Sequence, residues 1–425
     1  MRLGLFLYRI VTRLLAPFAP LVMRRRAERG KENSLRINER FARRLIKRPQ
    51  GRLIWFHSAS VGESMVQLEV AARLLDESGP FTCLFTCQTL TGADAINARL
   101  EDEPAFSGRD HLQQMAPLDL PGPVSRFVHH WSPDLAIFAE GEIWPNLLGA
   151  LRKLGIPTAL INARMTEKSV IGWGRWRATS RDIFGGFDLL LAADTQTQTG
   201  LSYLAGRDVA CPGNLKSSLP APSVDMDELE SLRMRIGPRP VLVAASTHTG
   251  EEALVLDAVL RMPERPFLVI APRHPERGDE IEGLLRCSAL EIARRSRDDD
   301  VSSRTGVLLA DTMGEMGLWY RLASCVYLGG GHTPGVGGHN PLEPIRLGRR
   351  VLTGPSLFNF RDVTDKLIEE GALTIVQSSE ELIQKIEGPA PSADLLARLE
   401  EGVIGPMRAT LDALSALLNA RGTTP

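Results

Sequence analysis

The sequence predicts an α/β protein of two open domains, each built on a parallel sheet. The chain has 425 residues, more than the ~250 to 300 at which a single hydrophobic core stops growing. From residue 52 onward, short β-prone apolar runs alternate with amphipathic stretches, the pattern of βαβ units. A segment rich in Pro, Ser and Gly interrupts this alternation at residues 212–225, after which it begins again.

The N-terminal segment combines positive charge with an apolar stretch. Residues 1–50 hold 14 Arg and Lys against three Glu, a net charge of +11, so the remainder carries −12 within the overall charge of −1. A cleaved signal peptide is not predicted, because no small-residue cleavage site follows and Arg9 and Arg13 interrupt the apolar stretch. Both arginines fall on one helical face, which favours a basic amphipathic helix lying in the lipid headgroup plane.

Two alternatives for this helix stay open. Residues 3–23 are long enough for a tilted membrane span, although each central arginine would cost ~2.5 to 3.5 kcal/mol on the insertion scale. The helix could instead pack on the body of the protein. In either membrane arrangement, the cluster Arg24, Arg25 and Arg26 would lie on the cytoplasmic side, attracted to anionic lipid.

The strand pattern sets the expected domain limits. In the first series the predicted strands are 53–57, 81–86, 134–139, 158–162 and 188–193, and in the second they are 241–246, 266–271, 307–311, 325–329 and 350–354. We expect a membrane-associated helix over residues 1–32, an N-terminal Rossmann-like domain over 33–212 and a C-terminal one over 213–425. The last helix would be free to pack back on the N-terminal domain.

Several classes of protein are excluded or disfavoured. Five cysteines are few and odd in number, which argues for a reducing compartment, and Cys83 and Cys87 lie in a predicted buried strand rather than in a zinc site. No GxxxxGK[ST] motif occurs, so the chain is not a P-loop ATPase or GTPase. Asp225 and Asp227 have the D-x-D spacing of a metal-dependent sugar transferase, but they open a predicted helix, where capping suffices. We expect neither a metal site nor nucleic-acid binding.

Ligands of open α/β sheets bind at the carboxyl ends of strands, and in the second domain these ends carry cationic and glycine-rich segments. His248, Arg273, His274 and Arg277 follow two strands, near predicted helix starts at Thr249, Pro275 and Met313. Helix starts offer unpaired N–H groups and a positive dipole end, which suits a phosphate.

The stretch GGGHTPGVGGHNPLEP, residues 329–344, follows another strand. Its glycines would let the backbone approach a ligand closely. Glu343 would then accept hydrogen bonds from the vicinal hydroxyls of a ribose. Alternatively, Asn340 and Glu343 form a simple N-x-x-E capping pair.

Strand ends of the first domain carry carboxylates. Glu63, at a glycine-containing helix start, is placed to act as a general base on an alcohol, or else it complements the helix dipole from the first turn. Glu140 and Glu142 follow another strand and admit the same two interpretations. Lys216, at the break between domains, can reach toward a departing phosphate or can be a solvated linker lysine.

Taken together, these motifs resemble the 3-deoxy-D-manno-octulosonic acid (Kdo) transferases of lipopolysaccharide synthesis, from about residue 1 to residue 420. The segments that carry the resemblance are HSASVGES, EGEIWPNL, INARMTEKS, GNLKS, ASTHTGEE, APRHPER, DTMGEM, GGHNPLEP and LTGPSLFNF, in this order. Gly141 and the run from Gly329 to His332 depart from the usual family pattern. The resemblance implies a GT-B fold, in which two Rossmann-like domains face each other across a cleft, with the acceptor on the N-terminal side and the nucleotide donor on the C-terminal side.

The resemblance also implies roles for individual residues. Glu63 matches the base that deprotonates the acceptor hydroxyl during inverting attack on CMP-Kdo, and Glu140 and Lys216 match positions that stabilise the transition state. The CMP-binding segments correspond to Pro272, Arg273, Met313, Gly314, Glu315, Asn340, Pro341, Leu342 and Glu343. CMP-Kdo is a co-substrate, and no cofactor is expected.

The implied acceptor is a lipid A precursor, lipid IVA, at the cytoplasmic face of the inner membrane. A basic interfacial N-terminus would hold the enzyme where this anionic amphiphile lies. Two other functions stay open: a GT-B transferase or epimerase that uses another nucleotide sugar, since folds are shared among activities, and a noncatalytic membrane-attached binding module.

Overall fold

The computed structural model describes residues 3–219, 224–358 and 360–420. The chain divides into two compact units, the first comprising residues 1–219 and 402–425 and the second residues 220–401. Each unit is an α/β layer structure around one parallel sheet, as the strand pattern predicts.

The first unit contains a six-stranded parallel sheet. Its strands in chain order are β1 (Leu53–Ser58), β2 (Thr82–Cys87), β3 (His111–Met115), β4 (Leu135–Ala139), β5 (Thr158–Ala163) and β6 (Leu189–Ala192). Their order across the sheet is β3-β2-β1-β4-β5-β6. Alternate residues of β1 point to opposite faces, so Ile54 and Phe56 enter one buried cluster while Leu53 and Trp55 enter another. The sheet is therefore covered on both faces.

The second unit contains a seven-stranded parallel sheet. Its strands are β7 (Val241–Thr247), β8 (Phe267–Pro272), β9 (Glu291–Arg294), β10 (Thr305–Leu309), β11 (Cys325–Leu328), β12 (Arg350–Thr353) and β13 (Leu373–Ile375). They lie in the order β13-β12-β11-β7-β8-β10-β9. Two buried clusters again cover the two faces.

Helices connect the strands of both sheets. In chain order they are α1 (Leu3–Leu15), α2 (Ala19–Glu28), α3 (Ile37–Arg40), α4 (Val61–Ser78), α5 (Leu90–Asp102), α6 (Pro121–Trp131), α7 (Pro145–Lys153), α8 (Glu167–Gly174), α9 (Arg177–Phe184), α10 (Thr195–Ala205), α11 (Met226–Ile236), α12 (Glu251–Arg261), α13 (Gly278–Leu285), α14 (Met316–Leu322), α15 (Leu342–Arg346), α16 (Arg361–Glu369), α17 (Ser379–Lys385) and α18 (Ala393–Asn419). Short 3-10 helices occur at Ala16–Phe18, Pro104–Phe106, Leu215–Ser218, Pro275–Arg277 and Arg295–Arg297.

The boundary between the units lies after Leu219 rather than at residue 212, where the composition changes. The segment that follows residue 212 belongs to the first unit because Leu215 is fully buried in its core. The Leu215 N–H also donates to Asn162 Oδ1 at 2.8 Å. From residue 402 onward, α18 is part of the first unit as well, where Met407 and Leu411 enter the same core cluster.

The N-terminal helix lies against the first unit with its polar side. The Tyr8 hydroxyl donates to Asp119 Oδ2 at 2.9 Å, and Asn146 Nδ2 donates to Thr12 Oγ1 at 3.0 Å. A Cβ on Gly4 would lie 2.4 Å from Thr179 Oγ1, so glycine is needed for this close approach. The packed arrangement, one of the three that the sequence left open, is thus present.

Large apolar side chains occupy the opposite side of this segment and stay exposed: Phe6, Leu7, Ile10, Val11, Leu14, Leu15, Phe18, Leu21 and Val22. Among the described residues, one helical stretch, Gly4–Glu28, is long and apolar enough to cross a membrane by length and composition. An exposed apolar surface of this kind indicates an interaction with lipid or protein.

Candidate active site

The first sheet has a topological switch point between β1 and β4. The chain runs outward in opposite directions from these two neighbouring strands, which leaves a crevice at their carboxyl ends. The first turn of α4, which follows β1, carries Glu63, and the turn after β4 carries Glu140 and Glu142. The topology therefore brings together three carboxylates that the sequence singled out separately.

Glu63 lies in the first turn of α4 and is nine-tenths buried. Its carboxylate accepts hydrogen bonds from the Ala59 N–H at 2.8 Å and from the Ser60 hydroxyl at 2.9 Å. Ser60 is in turn the N-cap residue and accepts from the Glu63 N–H. This resembles a capping box, except that the carboxylate accepts from the N–H of Ala59, which precedes the N-cap, and not from that of Ser60 itself. Glu63 thus fulfils the structural interpretation that the sequence allowed.

The same carboxyl group is also electrostatically perturbed. Burial raises the pKa of Glu63, against the lowering effect of its hydrogen bonds to Ala59 and Ser60. The negative charges of Glu142 and Glu140 raise this pKa further. A carboxyl group with a raised pKa is a stronger base when ionised, which suits proton abstraction near neutral pH.

Glu140 and Lys216 form an ion pair beside the start of α4. Lys216 Nζ lies 2.6 Å from Glu140 Oε1. A Cβ built on Gly62 would be 3.4 Å from Lys216 Cε and 3.6 Å from Nζ, so the ammonium group lies over the helix start that carries Glu63. The three predicted catalytic residues thus belong to one cluster within the first unit.

Asn162, to which the sequence analysis assigned no role, holds this pair in position. Its Oδ1 accepts from the Leu215 N–H, next to Lys216, and its Nδ2 donates to Glu140 Oε1 at 3.3 Å. Asn162 has a left-handed backbone with φ 50°, at an irregularity in the pairing of β5 with β6. Glu140 is left-handed too, with φ 52°. Such conformations cost about 1–3 kcal/mol each and cluster at functional sites.

Glu142 is held ionised by a buried hydrogen-bonded chain. Trp55 Nε1 donates to Thr86 Oγ1 at 2.8 Å, and Thr86 Oγ1 is hydrogen-bonded to His57 Nδ1, also at 2.8 Å. His57 Nε2 then donates to Glu142 at 3.1 Å, and Trp144 Nε1 donates to the same oxygen at 2.8 Å. Burial works against ionisation, but these bonds hold the pKa of Glu142 below its ordinary value.

The second sheet has its switch point between β7 and β11. The segment after β7 carries His248, and the segment after β11 is the glycine-rich loop. A Cβ on Gly329 would lie 2.5 Å from the Ser246 carbonyl oxygen, and one on Gly331 would lie 2.6 Å from the Gly354 nitrogen. At these two positions the absence of a side chain lets the loop lie close to the protein's own backbone. The approach of a ligand to the loop stays a prediction.

Glu251, at the start of α12, anchors this loop. Its fully buried carboxylate accepts from the His248 N–H at 2.9 Å, from the Gly330 N–H at 2.8 Å and from the His332 N–H at 3.0 Å. Both carboxylate oxygens are needed, because Oε2 accepts from the His248 and Gly330 N–H groups and Oε1 accepts from the His332 N–H. In the sequence, Glu251 is visible only as an acidic residue in the first turn of a predicted helix. Such residues are generally explained by their favourable interaction with the helix dipole.

The predicted nucleotide-binding residues occupy neighbouring strand ends of the second unit. Pro272 is the buried last residue of β8, and Arg273, directly after it, is exposed. Met313 is 72% exposed, and a Cβ on Gly314 would have no neighbour within 4 Å. The carboxylate of Glu315 is already engaged by Arg295, at 2.7 Å and 3.0 Å. Arg295 was not predicted to belong to this group.

Asn340, Pro341, Leu342 and Glu343 surround the start of α15. Asn340 Oδ1 accepts from the Leu342 N–H at 3.1 Å, and Asn340 Nδ2 donates to Glu343 Oε1 at 3.2 Å. Pro341 is the N-cap residue of α15. Burial raises the pKa of Glu343, although Asn340 and Arg346 lower it. The pair therefore makes the capping contact, and a bond from Glu343 to a ribose stays a prediction.

Two other expectations concern helix starts and metals. The helix expected at Pro275 begins there as the 3-10 helix Pro275–Arg277, which leads directly into α13. The helices expected at Thr249 and Met313 begin at Glu251 and Met316, because a short turn precedes each one. Asp225 is an N-cap whose side chain accepts from the N–H groups of Asp227 and Glu228, as predicted.

Comparison with known proteins identifies the family. Residues 35–219 match the family model described as 3-deoxy-D-manno-octulosonic-acid transferase (kdotransferase). The chain is 31% identical to a probable 3-deoxy-D-manno-octulosonic acid transferase, mitochondrial, of Arabidopsis thaliana, over 98% of this chain and 94% of the relative. It is 33% identical to the 3-deoxy-D-manno-octulosonic acid transferase of Bordetella pertussis, over 87% of each.

The fold has a solved counterpart. A glycosyltransferase structure from Rickettsia africae matches 88% of this chain and all of its own length, with a TM-score of 0.56 and 13% identity. The predicted fold class, two parallel-sheet α/β domains of the glycosyltransferase type, is confirmed. Identity above 30% over nearly the whole length of curated relatives shows that this chain belongs to the 3-deoxy-D-manno-octulosonic acid transferase family.

Proposed function

We propose that this family member transfers Kdo from CMP-Kdo to a lipid A precursor, lipid IVA, in lipopolysaccharide inner-core synthesis, with inversion at the anomeric carbon. The observation that carries the proposal is the cluster of Glu63, Glu140 and Lys216 at the switch point of the first sheet, with Lys216 Nζ 2.6 Å from Glu140. Its composition suits the attack of an alcohol: a raised-pKa carboxyl to take the proton, and a cation held nearby.

In this mechanism Glu63 accepts the proton of the acceptor hydroxyl as its oxygen attacks the anomeric carbon. The bonds from Ala59 and Ser60 fix the orientation of the carboxylate, so little reorganisation is needed when the proton arrives. Negative charge then accumulates on the phosphate of departing CMP. Lys216 and Arg273 are the cations that we assign to this charge, because charge stabilisation matters most where charge develops.

The nucleotide is assigned to the strand ends of the second unit. Arg273 and His274 are exposed there, and Met313 and Gly314 offer uncovered surface. We propose that the reaction needs no metal and no cofactor. The proposal rests on the cationic side chains Lys216 and Arg273, which would neutralise the departing phosphate in place of a metal.

The test is a transfer assay with purified full-length protein, CMP-Kdo generated in situ and tetraacylated lipid A precursor, read by mass spectrometry. We expect a Kdo-bearing product from the wild type. Glu63→Gln should lower kcat by at least ~10²-fold, at the low end of the effect of general-base catalysis, while CMP still binds. The matched control is Glu69→Gln on the same helix, whose carboxylate pairs with Arg73 and should not affect transfer. Absence of product from the wild type would reject the proposed activity, and product formed with another nucleotide sugar would reassign the donor.

The N-terminal helix is proposed to hold the enzyme on the cytoplasmic face of the inner membrane. Its polar side is occupied by Tyr8 and Thr12 contacts, so its apolar side is free to enter the headgroup region while the helix stays on the first unit. Leu14, 67% exposed, is a suitable probe. Leu14→Glu should reduce sedimentation with anionic vesicles, whereas Leu35→Glu, at an 88% exposed site outside the helix, should not. Equal sedimentation of both variants would contradict this arrangement.

A further inference from the structure

Two histidines meet at the switch point of the second sheet. His248 follows β7, and His339 lies in the segment that follows β11. Their Nε2 atoms are 2.9 Å apart, and the rings are parallel within 5° with centroids separated by 5.2 Å. This is hydrogen-bond distance between two ring nitrogens at the edge where ligands of such sheets bind.

The contact fixes how many protons the pair can hold. Two nitrogens at this distance share one proton, because two would repel and none would leave facing lone pairs. If both rings are neutral, the ring that donates this proton has a bare Nδ1, and the other ring carries its proton on Nδ1. The pair can therefore accept one further proton at an outer nitrogen without losing the bond between the rings.

Charged and titratable groups face the pair from two packed elements: Arg273 and His274 from the segment after β8, and Glu251 and Glu252 from the first turn of α12. The His274 ring is 5.8 Å from that of His248. The Glu251 carboxylate is occupied by three backbone N–H groups and Glu252 pairs with Arg277 at 2.8 Å. Arg273 and His274, whose Nδ1 lies 3.3 Å from Glu276 Oε1, therefore oppose a further positive charge on the pair, whereas the negative charges of Glu251 and Glu252 favour one.

Without a ligand, this environment keeps the pair neutral. The pKa of His339 is lowered to about 4, mainly by burial and to a smaller extent by electrostatic repulsion from His248 and Arg273. Burial likewise lowers the pKa of His248, although Glu251 opposes this effect. An opposite charge within ~4–6 Å shifts a pKa by about 1 to 3 in favour of the charged form. A phosphate dianion beside Arg273 would therefore raise the pKa of the pair towards the neutral range.

We propose that the His248–His339 pair takes up a proton when a phosphate monoester binds beside Arg273, so that the donor site gains positive charge only when its anion is present. This rests on the proposed function, which assigns CMP to these strand ends. As the bond between the anomeric carbon and the phosphate oxygen breaks, the electron pair leaves on that oxygen. The imidazolium charge would then be largest when CMP reaches its full dianionic charge, which is the timing that transition-state stabilisation requires.

The experiment is calorimetric titration of full-length protein with CMP at pH 7 in buffers of different ionisation enthalpy, which yields the number of protons bound. We expect wild type to take up more protons per CMP than His339→Gln, by up to ~0.5 proton at the upper end of this shift. Cytidine, which has no phosphate, should cause no uptake. Since free CMP itself titrates near pH 6, the difference between the two proteins is the quantity to compare.

Two further measurements keep the proposal open to refutation. His274→Gln is the matched control, an exposed imidazole outside the Nε2 contact, and it should retain the uptake; loss of uptake there would assign the proton to His274 and overturn the proposal. In wild type, the slope of log Kd for CMP against pH must equal the number of protons taken up per CMP in the calorimetric titration. This test needs no variant. CMP binding with the same proton count in wild type and His339→Gln would sink this inference alone, whereas absence of CMP binding would also remove the assigned donor site.

Discussion

Asn162 offers the sharpest test of how the first-unit site is held together. Lys216 pairs with Glu140, and the Asn162 side chain is hydrogen-bonded to both sides of this ion pair. It accepts from the Leu215 N–H, next to Lys216, and donates to the Glu140 carboxylate. The side chain is 1% exposed, so water cannot replace either bond. Replacing Asn162 by glycine removes both bonds while keeping a residue that tolerates its left-handed backbone.

The expected magnitude follows from these contacts. A neutral hydrogen bond contributes about 0.5–1.5 kcal/mol and one to a charged group about 1.5–3 kcal/mol, and the 3.3 Å distance to Glu140 puts the second at the low end. Asn162→Gly should therefore destabilise the protein by about 2–3 kcal/mol. Asn162→Ala should cost about 1–2 kcal/mol more, because alanine resists a positive φ. Urea midpoints should decrease in the order wild type, glycine variant, alanine variant.

The functional consequence is tested in the Kdo transfer assay. A loosened Lys216 should lower kcat of Asn162→Gly by about 10- to 100-fold, which corresponds to about 1.4–2.7 kcal/mol of activation free energy. If Asn162 acts by positioning Lys216, the losses from Asn162→Gly and Lys216→Met should not multiply in the double variant. A kcat within twofold of wild type in the stable fraction of Asn162→Gly, or fully multiplicative losses, would refute the reasoning.

Three further predictions concern the pH profile, the glycine-rich loop and metals. The acidic limb of kcat/KM should lie above the ordinary Glu pKa of 4.5, since burial raises the pKa of Glu63. Glu142→Gln should move this acidic limb to lower pH, because the substitution removes a negative charge that raises the pKa of Glu63. A limb at the same pH in wild type and variant would contradict the electrostatic interaction between Glu142 and Glu63. Gly331→Ala places a Cβ 2.6 Å from the Gly354 backbone and should destabilise by about 1–3 kcal/mol. Gly283→Ala, a helical site with open space around it, should instead leave the urea midpoint unchanged or raise it. Finally, EDTA should leave the transfer rate unaltered, and a rate restored by added Mg²⁺ or Mn²⁺ would count against a metal-free mechanism.

The sheets were predictable from the sequence except at their edges. The three strands that the sequence pattern missed are β3, β9 and β13, and each lies at an edge of its sheet. Central strands are buried on both faces and show continuous apolar runs, whereas β3 reads HLQQM and β9 reads EIAR, with partly exposed residues. The remaining edge strand, β6, was predicted because it carries the run LLL and gains a further bridge from Leu191 to Ala210.

The site was predictable to the extent that side chains follow strands. Glu140 and Arg273 stand directly after apolar runs, and Glu63 lies in the first helical turn after such a run, so their edge of the sheet could be deduced. Asn162 could not, because its role depends on a left-handed backbone and on a partner more than fifty residues away. Glu251 was obscured for another reason: an acidic residue in a first helical turn has an ordinary explanation, and two of its three backbone donors, Gly330 and His332, lie in a loop distant in the chain.

The attachment of the N-terminal helix through Asp119 has a practical consequence for protein engineering. The same carboxylate accepts from the Tyr8 hydroxyl and from the Asn146 and Leu147 N–H groups that begin α7. Removing the first thirty residues to gain solubility would delete the Tyr8 hydrogen bond to Asp119, the residue that also holds the start of α7. The deletion would also expose Thr179, against which Gly4 now packs. Detergent-free variants are better sought by making the outward side chains of this segment polar and leaving its inward face intact.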